Sequence, residues 1–139
     1  MTANQIKKIL RELAAPAIAE HSLRFFKTGK GEYGEGDKFL GIRVPILRKQ
    51  LKTCKLTSLK HSLILLKSSY HEERLFALLL LVERFKRADA DEKAAIYEAY
   101  LNNSKYINNW DLVDSSASHI VGAYLQDKDR HPLYQLAKI

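Results

Sequence analysis

Apolar residues recur at intervals of three and four along most of the chain, and this spacing restricts the folds open to it. Near the N-terminus the pattern is carried by Ile6, Ile9, Leu10 and Leu13. Side chains at this spacing share one face of an α-helix, whereas a half-buried strand alternates apolar and polar residues. The segment HSLILLKSS comes nearest to a strand, yet its leucines also fit helical spacing. The pattern therefore predicts an all-α fold.

Capping signals and glycines divide this pattern into helices. Three residue pairs have the spacing of a capping box or a variant of it: Thr2 with Gln5, Ser69 with Glu72, and Asp89 with Glu92. Pro16 suits the first turn of a second helix, and the glycine-rich segment KTGKGEYGEGDKF predicts a loop. A basic helix is expected to start near Pro45. Further helices are predicted at 58–67, 70–87, 91–103, 110–126 and from 131 onward.

Four of these helices form two successive pairs, 58–67 with 70–87 and 91–103 with 110–126. The second pair follows the first by about 32 to 40 residues, near the ~40-residue period of HEAT and armadillo repeats. We therefore expect residues 1–139 to form a single HEAT-like-repeat domain, an α-α superhelix of antiparallel helix pairs with a concave binding face. A compact helical bundle without a groove is the alternative, because the two pairs share little sequence identity.

The formal net charge of +7 is unevenly distributed along the chain. Residues 1–60 hold 13 Lys and Arg against 5 Asp and Glu, a net +8, while residues 61–139 hold 10 against 11, a net −1. A basic half favours binding to a polyanion, since each phosphate contact releases counterions. A solvated basic surface that keeps the protein soluble explains the same charge.

Several classes of protein are disfavoured by the sequence. The single cysteine, Cys54, rules out an intrachain disulfide framework and is interpreted as a buried thiol. No histidine pair has the spacing of a zinc helix and no HExxH occurs, so no metal is expected, and no other cofactor is expected either. The absence of a nucleophile elbow disfavours a Ser/His hydrolase. No apolar run reaches the ~18 residues of a membrane span. With no signal peptide at the N-terminus, a cytoplasmic location is expected. The segment HEER, which begins at His71, is interpreted as an exposed first turn.

The segment NNWDLVDSS contains the only tryptophan of the chain, Trp110, four residues before Asp114. On a helix these two positions are neighbours on one face. A carboxylate beside an aromatic wall suits a cationic ligand or transition state. A packed indole and an ordinary helix-start charge are the alternative interpretation.

Six cations cluster around the helix predicted near Pro45, and we expect them to bind DNA phosphates. They are Lys38, Arg43, Arg48, Lys49, Lys52 and Lys55. Arg48, Lys52 and Lys55 follow helical spacing and would form one basic stripe. An ordinary solvated surface remains the alternative.

Three segments resemble the bacterial DNA alkylation repair proteins, HEAT-like-repeat DNA glycosylases that release 3- and 7-alkylated purines. They are GEGDKFLGIRVPILRKQLK, SSYHEERLFALLLLVERFK and INNWDLVDSSASHIVGAYL, which cover most of residues 33–126 in the family's order. The resemblance implies that Trp110 and Asp114 line the lesion site as catalytic residues. It implies alkylated duplex DNA as the partner, bound without flipping the base into a deep pocket. A non-catalytic HEAT-like module that binds DNA or protein is the alternative.

The chain differs from the family pattern at its C-terminal end. The family has a third site residue, an arginine on a later helix, and the sequence stops at Ile139 before any match to it. The last segment, HPLYQLAKI, predicts a helix with an uncovered apolar face and no polar capping repeat. We therefore expect a domain truncated at its C-terminus, weak or absent excision by these 139 residues alone, and self-association through that face.

Overall fold

The computed structural model describes residues 2–15, 17–19, 38–107 and 110–126, and within the last range it leaves out five side chains (Trp110, Asp111, Asp114, Ser115 and Gln126). Within the described residues the chain forms the α-helices α1 (Ala3–Glu12), α2 (Val44–Cys54), α3 (Leu59–Leu66), α4 (His71–Arg87), α5 (Ala90–Asn102), α6 (Trp110–Ala117) and α7 (Ala123–Gln126). A 3₁₀ turn at Ser104–Tyr106 precedes α6, and a π-helical segment at Ser118–Gly122 joins α6 to α7. The described residues form no strand beyond one isolated bridge between Lys38 and Tyr70. The all-α prediction is confirmed, while the superhelical arrangement stays a prediction.

The capping predictions have mixed outcomes. Thr2 forms the full box, with its hydroxyl accepting from the Gln5 amide at 3.2 Å and its own amide donating to Gln5 Oε1 at 2.9 Å. Asp89 accepts from the Glu92 amide at 2.8 Å, which confirms the start of α5. The predicted Ser69 cap is wrong, because Tyr70 occupies the N-cap of α4 and Glu72 binds elsewhere.

The core is built around α4, which packs against α2, α3, α5 and α6. Every residue from His71 to Val82 is buried, so this helix is enclosed on all sides over its first three turns. Its apolar run Leu75–Val82 supplies most of the central cluster, including the fully buried Phe76. Because α4 contacts four other helices, it fixes their positions relative to one another.

The N-terminal helix is attached to this core through α3. Ile6 and Leu10 are fully buried on its inner face, and α1 packs against α3. His61 Nδ1 accepts a hydrogen bond from the Ala3 amide at 3.1 Å, which satisfies one of the unpaired donors at the helix start.

Some predictions concern parts of the chain outside the described residues. These are the glycine-rich loop, Pro16 itself and the segment HPLYQLAKI with its proposed self-association. Residues 17–19 have helical backbone, in agreement with a second helix at this place. Among the described helices, none combines the length and apolar character that crossing a membrane requires.

Candidate functional site

The six predicted DNA-binding cations are all exposed, and we call them together the basic surface. Five of them lie on α2 or at its two ends, and Lys38 lies in the segment that leads into it. The inner side of α2 carries Leu47, Leu51 and Cys54, which are buried against the core. Packing of this apolar side leaves Arg48, Lys52 and Lys55 together on an adjacent, solvent-facing side, as helical spacing predicts.

The segment leading into α2 is held by one buried carboxylate. Glu72 Oε1 accepts from the Leu40 amide at 2.9 Å, and Oε2 accepts from the Gly41 and Ile42 amides at 2.8 and 3.1 Å. Three backbone amides converging on one carboxylate neutralise much of the cost of burying its charge. This contact fixes where α2 begins.

Gly41 is required at the centre of this contact for two reasons. Its φ is +84°, which L-residues other than glycine rarely adopt. A Cβ at this position would lie 2.0 Å from the carbonyl oxygen of Ala15. The Ala15 amide also donates to the Leu40 carbonyl at 2.9 Å, so the two backbone segments are in direct contact.

The other end of α2 is held by two arginines of α4. Arg84 Nη1 donates to the Thr57 carbonyl at 2.9 Å, and Arg87 Nη2 donates to the Lys55 carbonyl at 2.6 Å. The Thr57 hydroxyl donates to the Cys54 carbonyl at 2.6 Å. Both ends of the helix that carries most of the basic surface are therefore bound to α4.

The expectation of an exposed first turn at HEER is wrong, because all four residues are buried. Glu73 is fully buried and accepts from Arg11 Nε and Nη2 at 3.0 and 3.3 Å and from the Ser68 hydroxyl at 2.5 Å. His71 stacks on Phe39 with ring centroids 4.8 Å apart. Each side chain binds a segment distant in sequence, which no local pattern reveals.

Arg74, the last residue of this quartet, reaches toward the helix that carries the predicted site. Its Nη1 lies 3.5 Å from the carbonyl oxygen of Tyr106, in the turn just before α6. Packing of α6 against α4 brings these elements together. The quartet thus contacts both the entry to α2 and the approach to α6. The sequence alone did not predict this role. The available signal is that the four polar residues directly precede the long apolar run Leu75–Val82.

Trp110 and Asp114 both lie on α6, one helical turn apart, as the spacing predicts. The same helix carries Leu112 and Ser116, which are fully buried. At 100° per residue, positions 110 and 114 fall on the side of α6 roughly opposite to these two. The backbone therefore places positions 110 and 114 opposite Leu112 and Ser116 and next to the partly buried Ala117. The roles of the Trp110 and Asp114 side chains remain predictions.

Burial changes the pKa of one group on α5 and of one group on α2. Burial raises the pKa of the Tyr100 hydroxyl, and it also raises the pKa of the Cys54 thiol. Cys54 is buried, as predicted. On α1, the hydrogen bond to Glu73 raises the pKa of Arg11 above its ordinary value.

Among the described side chains, no group of three or more His, Cys, Asp or Glu is placed to hold a metal ion.

The two sets of predicted residues lie on different helices, and the helical core connects them. The basic surface lies on and around α2 and the predicted catalytic pair on α6, and both helices pack against α4.

The family of DNA alkylation repair enzymes matches residues 6–139 of the sequence. No curated protein and no solved structure is significantly similar to the chain. Since the family match extends over almost all of the sequence, the chain belongs to the family of DNA alkylation repair enzymes.

Proposed function

We propose that the protein is a DNA glycosylase that hydrolyses the N-glycosidic bond of cationic 3- or 7-alkylpurines. The observation that carries this proposal is the position of Trp110 and Asp114, one turn apart on α6 and opposite its fully buried residues Leu112 and Ser116. A tryptophan and an aspartate one turn apart on a helix, in a family of DNA alkylation repair enzymes, are the two residue types that such a reaction needs.

The chemistry requires little from the protein beyond charge stabilisation. An alkylated purine is cationic, so the bond to C1′ breaks with both electrons going to the base, which leaves neutral. The sugar then carries the positive charge as an oxocarbenium ion. The Asp114 carboxylate stabilises this cation and accepts the proton of the water that bonds to C1′. Trp110 supports the cationic sugar through its π-face.

Binding precedes this step and is assigned to the basic surface. Its six exposed cations can each contact a backbone phosphate and release counterions. Because phosphates are the same in every sequence, the protein can scan DNA without base-specific contacts. Alkylated duplex DNA is the substrate of this proposal.

A non-catalytic module that binds DNA or protein is the second candidate. It is favoured by the same six exposed cations, which would hold DNA whether or not a reaction follows. Asp114 separates the two functions, because a carboxylate beside DNA repels phosphate and is unfavourable unless it stabilises a cation.

The test is release of 7-methylguanine from methylated duplex DNA by the protein as its gene encodes it. Binding and excision are measured on the same DNA, with unmethylated DNA of equal sequence as the control. The proposal expects binding to both DNAs and base release only from the methylated one. Binding without release supports a non-catalytic module that binds DNA. The absence of DNA binding at low salt contradicts the glycosylase and the DNA-binding module alike, and leaves only a module that binds protein.

A further inference from the structure

We propose that Tyr100 is a positioning residue for the site helix. Its hydroxyl, through Ser116, fixes the rotation of α6 about its own axis and hence the direction in which positions 110 and 114 point. The importance of this direction for excision rests on the function proposed above, whereas the positioning itself can be measured without any reaction.

The contact is a short chain of two buried hydrogen bonds. Tyr100 Oη lies 2.8 Å from Ser116 Oγ, and Ser116 Oγ lies 2.7 Å from the carbonyl oxygen of Leu112. Ser116 and Leu112 are fully buried, and Tyr100 is 5% exposed. Water therefore does not compete for these groups.

The direction of both bonds follows from the number of protons. A carbonyl oxygen only accepts, so the single hydroxyl proton of Ser116 is donated to Leu112. Ser116 can then only accept from Tyr100, whose hydroxyl is the donor. The two hydroxyl groups cannot exchange the roles of donor and acceptor. The two hydrogen bonds therefore form in only one arrangement of α5 against α6.

The location of this chain explains why it controls rotation. Leu112 and Ser116 are one turn apart on the buried side of α6, and positions 110 and 114 lie on the opposite side. Turning the helix enough to break the contact with Tyr100 necessarily turns positions 110 and 114 by the same angle. Tyr100 itself is a rigid anchor, since it belongs to the buried core of α5.

A second feature makes an anchor necessary at this place. Directly after α6, the segment Ser118–Gly122 is π-helical, so the helical phase changes within one turn of Ser116. The hydrogen bond from Ser116 to the carbonyl four residues earlier also loosens a helix. The rotation of α6 is therefore not set by the helix that follows, and the bond to Tyr100 adds a directional constraint to the packing of α6 against α4.

The experiment uses the single tryptophan as its reporter. Trp110 is the only indole in the sequence, so selective excitation reads the environment of α6 alone. We compare Tyr100→Phe and Ser116→Ala with Tyr97→Phe, whose ring, on the same helix, stacks on Tyr124 at 4.3 Å. Circular dichroism confirms folding, and Ser116→Ala removes the same bond if Tyr100→Phe fails to fold.

The proposal expects Tyr100→Phe and Ser116→Ala to change the emission maximum and the acrylamide quenching of Trp110, and Tyr97→Phe to leave both as in the wild type. The double variant should match Ser116→Ala, because Ser116→Ala alone already removes both bonds of the chain, including the one to Tyr100. Emission and quenching of Trp110 that are unaffected by Tyr100→Phe and Ser116→Ala overturn the proposal.

Excision supplies the functional half of the test. At saturating protein, Tyr100→Phe should slow release of 7-methylguanine by about tenfold to a hundredfold, with DNA affinity unchanged, because a small misplacement costs this much. If the protein as its gene encodes it releases no base, the proposed glycosylase function fails while the fluorescence result still decides the positioning role. If the wild type excises and Tyr100→Phe excises equally fast, the link between rotation and activity is contradicted.

Discussion

At the scale of single residues, Glu72 joins α4 to three consecutive backbone groups of the segment before α2. It accepts three amides from residues 40–42. Replacing it with Gln keeps the shape but removes the charge and turns one oxygen into a donor facing donors. We expect a loss of about 2–4 kcal/mol in the free energy of unfolding. Urea unfolding measures it, with the exposed Glu98→Gln as the control. An equal midpoint for both variants would contradict the assigned role.

Gly41 and Gly122 form a matched pair for a second test. At Gly41 a methyl group meets the Ala15 carbonyl at 2.0 Å and the backbone has a positive φ, whereas at Gly122 no heavy atom lies within 4 Å. Gly41→Ala should therefore lower the free energy of unfolding by more than about 2 kcal/mol, which is seen as a lower thermal midpoint. Gly122→Ala in a helical segment should stabilise by roughly 0.5–1 kcal/mol. Similar effects of the two changes would show that the contact with Ala15 is not close.

The buried Cys54 thiol gives a prediction on pH. Burial raises the pKa of Cys54, so above the ordinary thiol value of about 8.5 the unfolded chain ionises while the folded protein keeps its proton. The unfolded state then binds fewer protons, and stability falls as pH rises from there. Between about pH 8.5 and 10 the free energy of unfolding should decline with pH.

The matched variant for this prediction is Cys54→Ala. Its unfolding free energy is lower at every pH because of the cavity, but its decline over the same interval should be shallower. Equal slopes for the two proteins would mean that Cys54 titrates alike in both states. Above about pH 10, ionisation of Tyr100 and Tyr97 in the unfolded chain adds a further decline, since burial raises both of their pKa values.

At the scale of helices, the local sequence predicts where helices form better than it predicts which residues their side chains contact. The basic helix was expected near Pro45 and begins at Val44, and the helix expected over 70–87 occupies His71–Arg87. Apolar spacing and proline are local signals, so they suffice for this. Ser69 was wrongly assigned as a cap because Glu72 has the right spacing but its carboxylate binds amides thirty or more residues away.

The basic surface gives a prediction for α2 as an element. If Arg48 and Lys52 each contact one phosphate, replacing either with Ala should reduce the slope of log K against log salt by about 0.9. Lys67→Ala removes an exposed cation outside the basic surface and serves as the control. Fluorescence anisotropy of labelled duplex DNA over a range of salt concentrations measures the slope. A slope that is insensitive to Arg48 and Lys52 but lowered by Lys67→Ala would place the interface elsewhere.

At the scale of the whole molecule, α4 joins α2, which carries most of the basic surface, to α6, which carries the predicted catalytic pair. Through Glu72, Arg84 and Arg87 it holds the two ends of α2, and it packs directly against α6. The sequence predicts which residues serve each role, because Trp110 with Asp114 and the cluster of cations are visible as patterns, and these roles stay predictions. It did not reveal that HEER lies inside the protein, since a carboxylate's partners there are remote in sequence.

The central claim is that Asp114 acts in the reaction and not in holding DNA. A single-turnover measurement of 7-methylguanine release, with protein in saturating excess over methylated DNA, tests it directly. Asp114→Asn should reduce the rate by two orders of magnitude or more, on the order of what loss of one preorganised electrostatic group costs, with DNA affinity unchanged or higher. Asp91→Asn, which removes the same charge from an exposed position on α5, should keep the wild-type rate. Release by Asp114→Asn at the wild-type rate would contradict the account.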